Sequence, residues 1–428
     1  MQVNDIFDGF LTSLKVDNRE AIATRRDEIA KALNKEFRSL DGSTNNQMMV
    51  GSYGRGTAIR GISDLDMVYV LPASIRDSYT SDTGPTSILT RTRTAVLGRY
   101  SSTDIRVDQC VVVVQFQNFK FEVQPVFEND DRSFSYPDTY VKSWKVAKPR
   151  DEIETIRTYD SLTGGNLRNL CKMTRAWKNT HGVVMGGLLI DTLAYNFFQN
   201  TTDYDDVSTV TYDYMVRDFF KFLAEEEDHD YYAALGSRQR VTVKKRFQRK
   251  AKKAYELCLT AIEAEGTSTA NKKWKAVFGK AVPSSDTVKA SREAYAFDDS
   301  EQFIEDRYPV DIRYALTLDC KVSQDGFRTH WLREMIRSKL PLLTSKSLDF
   351  SVIECEVPKP YELKWKVLNQ GDEAERRNCI RGQIIPGSKS NGHHEATQFR
   401  GEHYVECYAI KNGVVVARGR VEVPIITA

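Results

Sequence analysis

Apolar side chains near the start of the chain recur every three or four residues: Ile6, Phe7, Phe10, Leu11 and Leu14, then Ile22, Ile29, Leu33 and Phe37, up to a polar break at 41–46. A 3.6-residue period brings such positions onto one face, which predicts two amphipathic helices. After a glycine-rich stretch at 51–57 the pattern changes. Residues 64–72, DLDMVYVLP, are rich in β-branched and aromatic types and end in proline, the signature of a strand. Residues 104–117 and 119–127 are dense in Val and Phe and are parted by Asn118, which predicts a hairpin beside that strand. From Leu162 to Glu265 the three- and four-residue steps return, as in Leu167, Leu170, Met173 and Trp177, and then Leu188, Leu189, Leu193 and Phe197. A stretch at 266–299, rich in Ser, Thr, Lys and Asp, reads as a linker. Beyond it the period falls to two over 312–322, 361–369, 381–385, 403–411 and 414–424, with Asn412-Gly413 as a hairpin turn. The expected architecture is an α/β core with N-terminal helices at 1–161, a helical subdomain at 162–300 forming the other wall of a cleft, and an all-β sandwich at 301–428.

At 428 residues and 41% hydrophobic, the chain exceeds one usual domain and has ample material for several cores. It contains no run of about 20 apolar residues and its first residues, MQVNDIFDGFL, lack the signal-peptide pattern, so the expected location is cytoplasmic, without membrane contact. Its seven cysteines are scattered singly, with no CxxC pair, which speaks against a disulfide framework or a zinc ribbon. His393, His394 and His403 lack the spacing of a metal site and read as surface or core histidines. A net charge of +2 excludes a protein whose whole surface grips nucleic acid. One basic segment remains, RQRVTVKKRFQRKAKK at 238–253, predicted as a helix that buries Val243, Phe247, Ala251, Ala254 and Cys258. A solvated basic face, partly neutralised by the acidic run 225–230, is the expectation for it, and contact with nucleic acid or a partner is the alternative.

The chemistry concentrates on the first predicted strand. Asp64 and Asp66 lie two apart, so both carboxylates project from the same face while Leu65 points behind it. Like charges that close repel unless a cation sits between them, and hard divalent ions such as Mg²⁺ or Mn²⁺ suit carboxylates and phosphates. Upstream, Gly51-Ser52 opens a glycine-rich turn whose backbone N–H groups and serine hydroxyl can hold phosphate oxygens. The turn resembles a Walker loop but lacks its lysine, which argues against P-loop hydrolysis. Glu122, in FKFEVQPVF, is the expected third acid, with Asp108 and Glu128 as alternatives. Three acids on one sheet face make a site for two metal ions.

Together, the words GSYGRGTAIRGISDLDMVYVLP, FEVQPVF, LRNLCKMTRAWK and MGGLLIDTLAYNFF resemble the bacterial cGAS/DncV-like nucleotidyltransferases of anti-phage signalling, over roughly residues 1–265. The resemblance implies that Gly51 and Ser52 hold the donor triphosphate, that Asp64, Asp66 and Glu122 hold two Mg²⁺ or Mn²⁺ ions, and that Lys172 or Arg175 reaches the phosphates. It further implies a cyclic di- or trinucleotide second messenger made from ATP, GTP or both, with release of pyrophosphate, and an effector protein that the messenger activates. The C-terminal stretches VLNQGDEAERRNCIRGQI and EATQFRGEHYVECYAIKNGVVVARGRVEV are similar to the sensor-type domain fused to such enzymes. Two other readings stand beside this one: a synthase of linear oligonucleotides or an RNA-tailing enzyme, and a non-catalytic nucleotide sensor. The sensor has no need of mutually repelling carboxylates.

Overall fold

The structure, a computed structural model, describes residues 2–283, 301–324, 328–369, 372–377, 382–389 and 391–426. They fall into two compact units, the first of Phe7–Arg175 and Gly186–Tyr255, the second of Met1–Ile6, Ala176–Met185 and Glu256–Ala428.

Two helices, α1 (Val3–Ser13) and α2 (Arg19–Arg38), open the chain where the periodicity places them. There follow β1 (Gln47–Met49), a single turn α3 (Gly51–Gly54), β2 (Asp64–Val70), α4 (Gly84–Arg99), β3 (Asp104–Asp108), β4 (Val111–Gln115), β5 (Lys120–Glu128), β6 (Phe134–Asp138) and β7 (Ser143–Ala147). The strands form one sheet in the order β1-β2-β5-β4-β3, with β6 on the far end of β5 and β7 beside it. Only β2 and β5 pair in parallel, in the register Asp64↔Lys120 and Asp66↔Glu122. On one face of the sheet Leu65, Met67, Phe121 and Val123 pack with Ile29 and Leu33 of α2 and with Ile88, Leu89 and Val96 of α4. Because strand side chains alternate, Asp64, Asp66 and Glu122 are left on the other face.

The helical part of this unit contains α5 (Pro149–Leu162), α7 (Gly187–Gln199), α8 (Tyr212–Glu225), a small ribbon of β8 (Tyr231–Ala233) with β9 (Arg240–Thr242), and the N-terminal parts of α6 (Asn166–His181) and α9 (Gln248–Glu263), whose remainders from Ala176 and Glu256 belong to the second unit. Its apolar stripes meet in Phe197, Phe219 and Tyr204, whose rings touch.

Two predicted elements need correction. The run 104–117 is not one strand but the hairpin β3–β4, closed at Gln109 with φ of 43°. Continuous valines hid a polar turn. The basic segment 238–253 is not one helix either: Val241, Thr242 and Val243 are β-branched and favour extended backbone, so the helix begins only at Gln248, and Val243 and Phe247 precede it.

In the second unit α10 (Ala270–Phe278) is followed by β10 (Leu316–Ser323), β11 (His330–Trp331), α11 (Leu332–Arg337), β12 (Ser347–Cys355), β13 (Glu362–Leu368), α12 (Asp372–Arg376), β14 (Ile384–Pro386), β15 (Gly392–Ala396), β16 (Gly401–Lys411) and β17 (Val414–Ile425). Two antiparallel four-stranded sheets result, β11-β10-β12-β15 and β14-β13-β16-β17. Leu318, Cys320 and Phe350 of one sheet share a core with Trp365, Cys407 and Val421 of the other. The expected all-β C-terminal region is therefore present. Asn412 and Gly413 both take positive φ, 52° and 75°, as a tight β16–β17 turn requires. The expected linker at 266–299 needs correction as well: Ala270–Phe278 form α10, whose Trp274, Val277 and Phe278 are buried, while 284–299, like Arg381 of the expected strand 381–385, lie outside the described residues.

Phe121 is wholly buried beside Glu122. Phe121→Ala is expected to cost about 3–5 kcal/mol, read as a lowered denaturant midpoint for the unfolding transition that carries the sheet.

Candidate active site

The strand pair sets the geometry of the acids. Asp66 and Glu122 are Cα partners across β2 and β5, and Asp64 stands two residues earlier on the same face. Of the three acids weighed for the third position, Glu122 alone is the register partner of Asp66. Asp108 lies on β3, the edge strand beyond β4, and Glu128 pairs with Phe134 and meets Arg150.

Burial pushes the Asp66 carboxyl up to about 7, and the charges of Glu122 and Asp64 add to that rise. Arg55 and Lys120 oppose it. Lys120, which the sequence reading overlooked, projects from the acidic face: its Nζ bonds Glu122 Oε1 and lies 3.7 Å from Asp64 Oδ1. The signal was present in the K-x-E spacing, which puts both side chains of β5 on one face.

Gly51 takes a φ of +60°, and a Cβ there would lie 1.9 Å from Asp66 Oδ2, so only glycine lets this turn close onto the carboxylate. The Val50 amide donates to the Asp66 carbonyl at 2.9 Å, which ties the turn to β2. Ser52 follows at once. Its hydroxyl is half-buried and has no hydrogen-bond partner among the described residues, while its carbonyl accepts from the Thr57 and Ala58 amides at 2.9 and 3.1 Å.

Arg55 carries the turn into the helical wall. It donates from Nε to Asp191 Oδ2 at 2.8 Å and from Nη1 to Glu152 Oε2 at 3.0 Å. Arg168 of α6 donates to the Arg55 carbonyl at 2.9 Å. Arg175, expected at the phosphates, is here instead: its Nη1 donates to Asp191 Oδ1 at 2.6 Å, and its Nη2 to Asp191 Oδ2 and the Gly187 carbonyl, both at 3.0 Å. With its side chain 8% exposed, Arg175 is committed to this carboxylate rather than offered to a ligand. Burial opposes ionisation of Asp191, yet Arg175 and Arg55 outweigh it and hold its carboxyl down to about 2. Glu152 shows the reverse, since burial outweighs its one guanidinium and raises it.

Lys172, on the same helix, fares differently. It lies one turn after Arg168 on the same face, is half-buried, and makes no ion pair among the described residues. Burial lowers its ammonium below lysine's usual range, against the pull of Asp160. An anionic ligand would relieve that penalty.

The other residues weighed from the sequence stand apart from these acids. His393 pairs with Glu395 at 2.8 Å, His394 with Asp349 at 3.0 Å, and His403 meets the Phe399 carbonyl at 3.3 Å, so the three do not share a ligand point. In the basic segment Arg246 pairs with Asp228 of the acidic run at 2.6 Å, and Lys244, Lys245, Arg249 and Lys250 are exposed.

Among the described residues no three His, Cys, Asp or Glu side chains close around a common point as a ready metal site. The donor chemistry nevertheless fits hard divalent cations: the acids offer only oxygen, share one face, and hold Asp66 in a state that added positive charge would relieve. The Lys120 ammonium lies against Glu122 and Asp64 on this face.

Residues 1–159 match the Second Messenger Oligonucleotide or Dinucleotide Synthetase (SMODS) domain, and residues 298–426 match the Adenylyl/Guanylyl and SMODS C-terminal sensor domain, AGS_C. The chain carries a SMODS nucleotidyltransferase domain followed by an AGS_C sensor domain. The SMODS match contains all three acids and the Gly51 turn, and the AGS_C match contains both four-stranded sheets. Among solved structures, E. coli CdnC in complex with HORMA-deltaN shares the fold, with a TM-score of 0.52 at 13% identity over 65% of this chain and 98% of that one. Apo Vibrio cholerae DncV aligns at a TM-score of 0.46 and 13% identity, over 66% of this chain and 87% of that one. No match to a curated protein is found at the sequence level. No helix among the described residues is long and apolar enough to cross a membrane.

Asp191→Ala strands two buried guanidinium groups and is expected to cost about 3–5 kcal/mol, measured by chemical denaturation. Its folded pKa of about 2 lies below the ordinary 3.8, so its contribution is full above about pH 4 and is lost as pH falls through about 2. Asp191→Asn is expected to remove that acid-labile component from the stability profile.

Proposed function

We propose that this SMODS enzyme is a cyclic oligonucleotide synthase, and the observation that carries the reading is the register pair Asp66↔Glu122 with Asp64 on the same face. Asp64 and Asp66 would hold two Mg²⁺ or Mn²⁺ ions, with Glu122 assisting the one that activates the acceptor hydroxyl. Such ions lower the pKa of an attacking hydroxyl and neutralise the departing pyrophosphate. Gly51 and Ser52 hold the donor triphosphate through backbone N–H groups and the free serine hydroxyl, and Lys172 meets its negative charge. Arg175 acts at one remove, by keeping the turn and the helical wall in place through Asp191. An acceptor hydroxyl attacks the α-phosphorus, a P–O bond forms, and pyrophosphate leaves. A second such step within the bound linear intermediate closes the ring. ATP, GTP or both are the substrates, in keeping with a C-terminal domain of the adenylyl/guanylyl sensor class. The product is a diffusible messenger read by an effector protein, as in anti-phage signalling.

The test uses purified protein with Mg²⁺ and all four triphosphates. Pyrophosphate is expected without added RNA, and the product should resist phosphatase and have the mass of two or three nucleoside monophosphates less one water per bond formed. Omitting triphosphates singly names the bases. Asp64→Asn with Asp66→Asn should lower pyrophosphate release at least about 100-fold without lowering the thermal midpoint, since the change removes repulsion rather than packing. A phosphatase-sensitive ladder would make the enzyme a linear synthase, dependence on an RNA end a tailing enzyme, and binding without pyrophosphate a sensor.

A further inference from the structure

Lys120 is a cation bonded within the group of acids, and its position follows from the fold rather than from a chance rotamer. It opens β5 two residues before Glu122, so it shares that residue's face, and the parallel register sets it directly opposite Asp64. Its Nζ bonds Glu122 Oε1 and lies 3.7 Å from Asp64 Oδ1. The three side chains are sheltered, at 19%, 23% and 28% exposure for Lys120, Asp64 and Glu122, so bulk salt screens them less than a surface pair.

We propose that Lys120 is a resident counter-ion, which holds the place between Asp64 and Glu122 until a divalent cation displaces it, and so sets the metal concentration at which the site loads. The proposal rests on the reading of Asp64, Asp66 and Glu122 as metal ligands. An ammonium brings one positive charge and three donors to a face that carries three carboxylates, so it compensates the repulsion only in part. A divalent ion compensates it better but must compete with a tethered group that has no translational entropy left to lose. Phosphate oxygens from a bound triphosphate would offer a hard divalent ion further ligands and so tip that competition. Metal loading is thereby coupled to arrival of nucleotide. A lysine that merely fastened β5 to β2 would leave metal affinity unchanged.

The test measures Mn²⁺ binding to the full chain without nucleotide, by EPR of the free ion, alongside thermal midpoints. Lys120→Met keeps the apolar stem and removes the charge; Lys120→Arg keeps the charge. Lys120→Met is expected to tighten Mn²⁺ binding about tenfold, to melt lower than the parent without metal, and to gain more from added Mn²⁺. Lys120→Arg should stay near the parent. If Lys120→Met does not fold, Lys120→Gln serves the same measurement. Mn²⁺ binding that Asp64→Asn abolishes but the loss of the Lys120 charge leaves unchanged or weaker overturns the counter-ion alone. Mn²⁺ binding that is absent, or indifferent to Asp64→Asn, overturns the metal-site reading and the proposal with it.

Discussion

Parallel pairing of β2 with β5 is the constraint on which the candidate chemistry depends. Side chains alternate along a strand, so a slip of one residue in either partner would carry its acids into the apolar layer against α2 and α4. Leu65, Met67, Phe121 and Val123, all fully buried, resist that slip, because it would expose them and bury charge in their place. The packing of one face thus dictates the electrostatics of the other. Three carboxylates are forced together, Asp66 is driven up to about 7 by burial and its neighbours, and the local deficit of positive charge is what suits the face to cations.

A second constraint joins this sheet to the helices around it. Asp191 has no solvent exposure and grips Arg55, which follows the Gly51 turn, together with Arg175 of α6. Thr57 adds a hydrogen bond to the same carboxylate at 3.0 Å. Such a buried cluster survives because nearly every polar atom has a partner, and removing one member leaves the others charged in an apolar place. The glycine turn is therefore held at both ends, by its backbone on β2 and by Arg55 in the helices. Preorganisation of that kind is what the proposed hold on a triphosphate requires.

The DxD pair, the strand that bears it, the N-terminal helices and the all-β end were legible in the sequence, because each rests on local periodicity, whereas Glu122 was one of three candidate acids. The parallel register was not, since it depends on a crossover of some fifty residues through α4, β3 and β4. Arg175 shows the same limit: a basic residue on a helix leading to a tryptophan reads as a ligand contact, and only the approach of Asp191, 16 residues on, commits it elsewhere. Asp191 had left a trace in LLIDTLAYNFF, where a lone acid in an apolar stripe has to be paired. Gln109 escaped because valines on both sides masked its turn.

Mn²⁺ bound to the full chain in the presence of a non-hydrolysable triphosphate offers the most direct measurement of what the acidic face does. Two ions held about 3.5–4 Å apart are exchange-coupled and broaden each other's EPR spectrum. The expected result is a coupled pair in the parent protein, reduced to an isolated ion or none in Asp66→Asn. Isolated ions alone in the parent, or a coupled pair that persists when Asp66 is replaced, would contradict the assignment of this face as a two-metal nucleotidyl-transfer site.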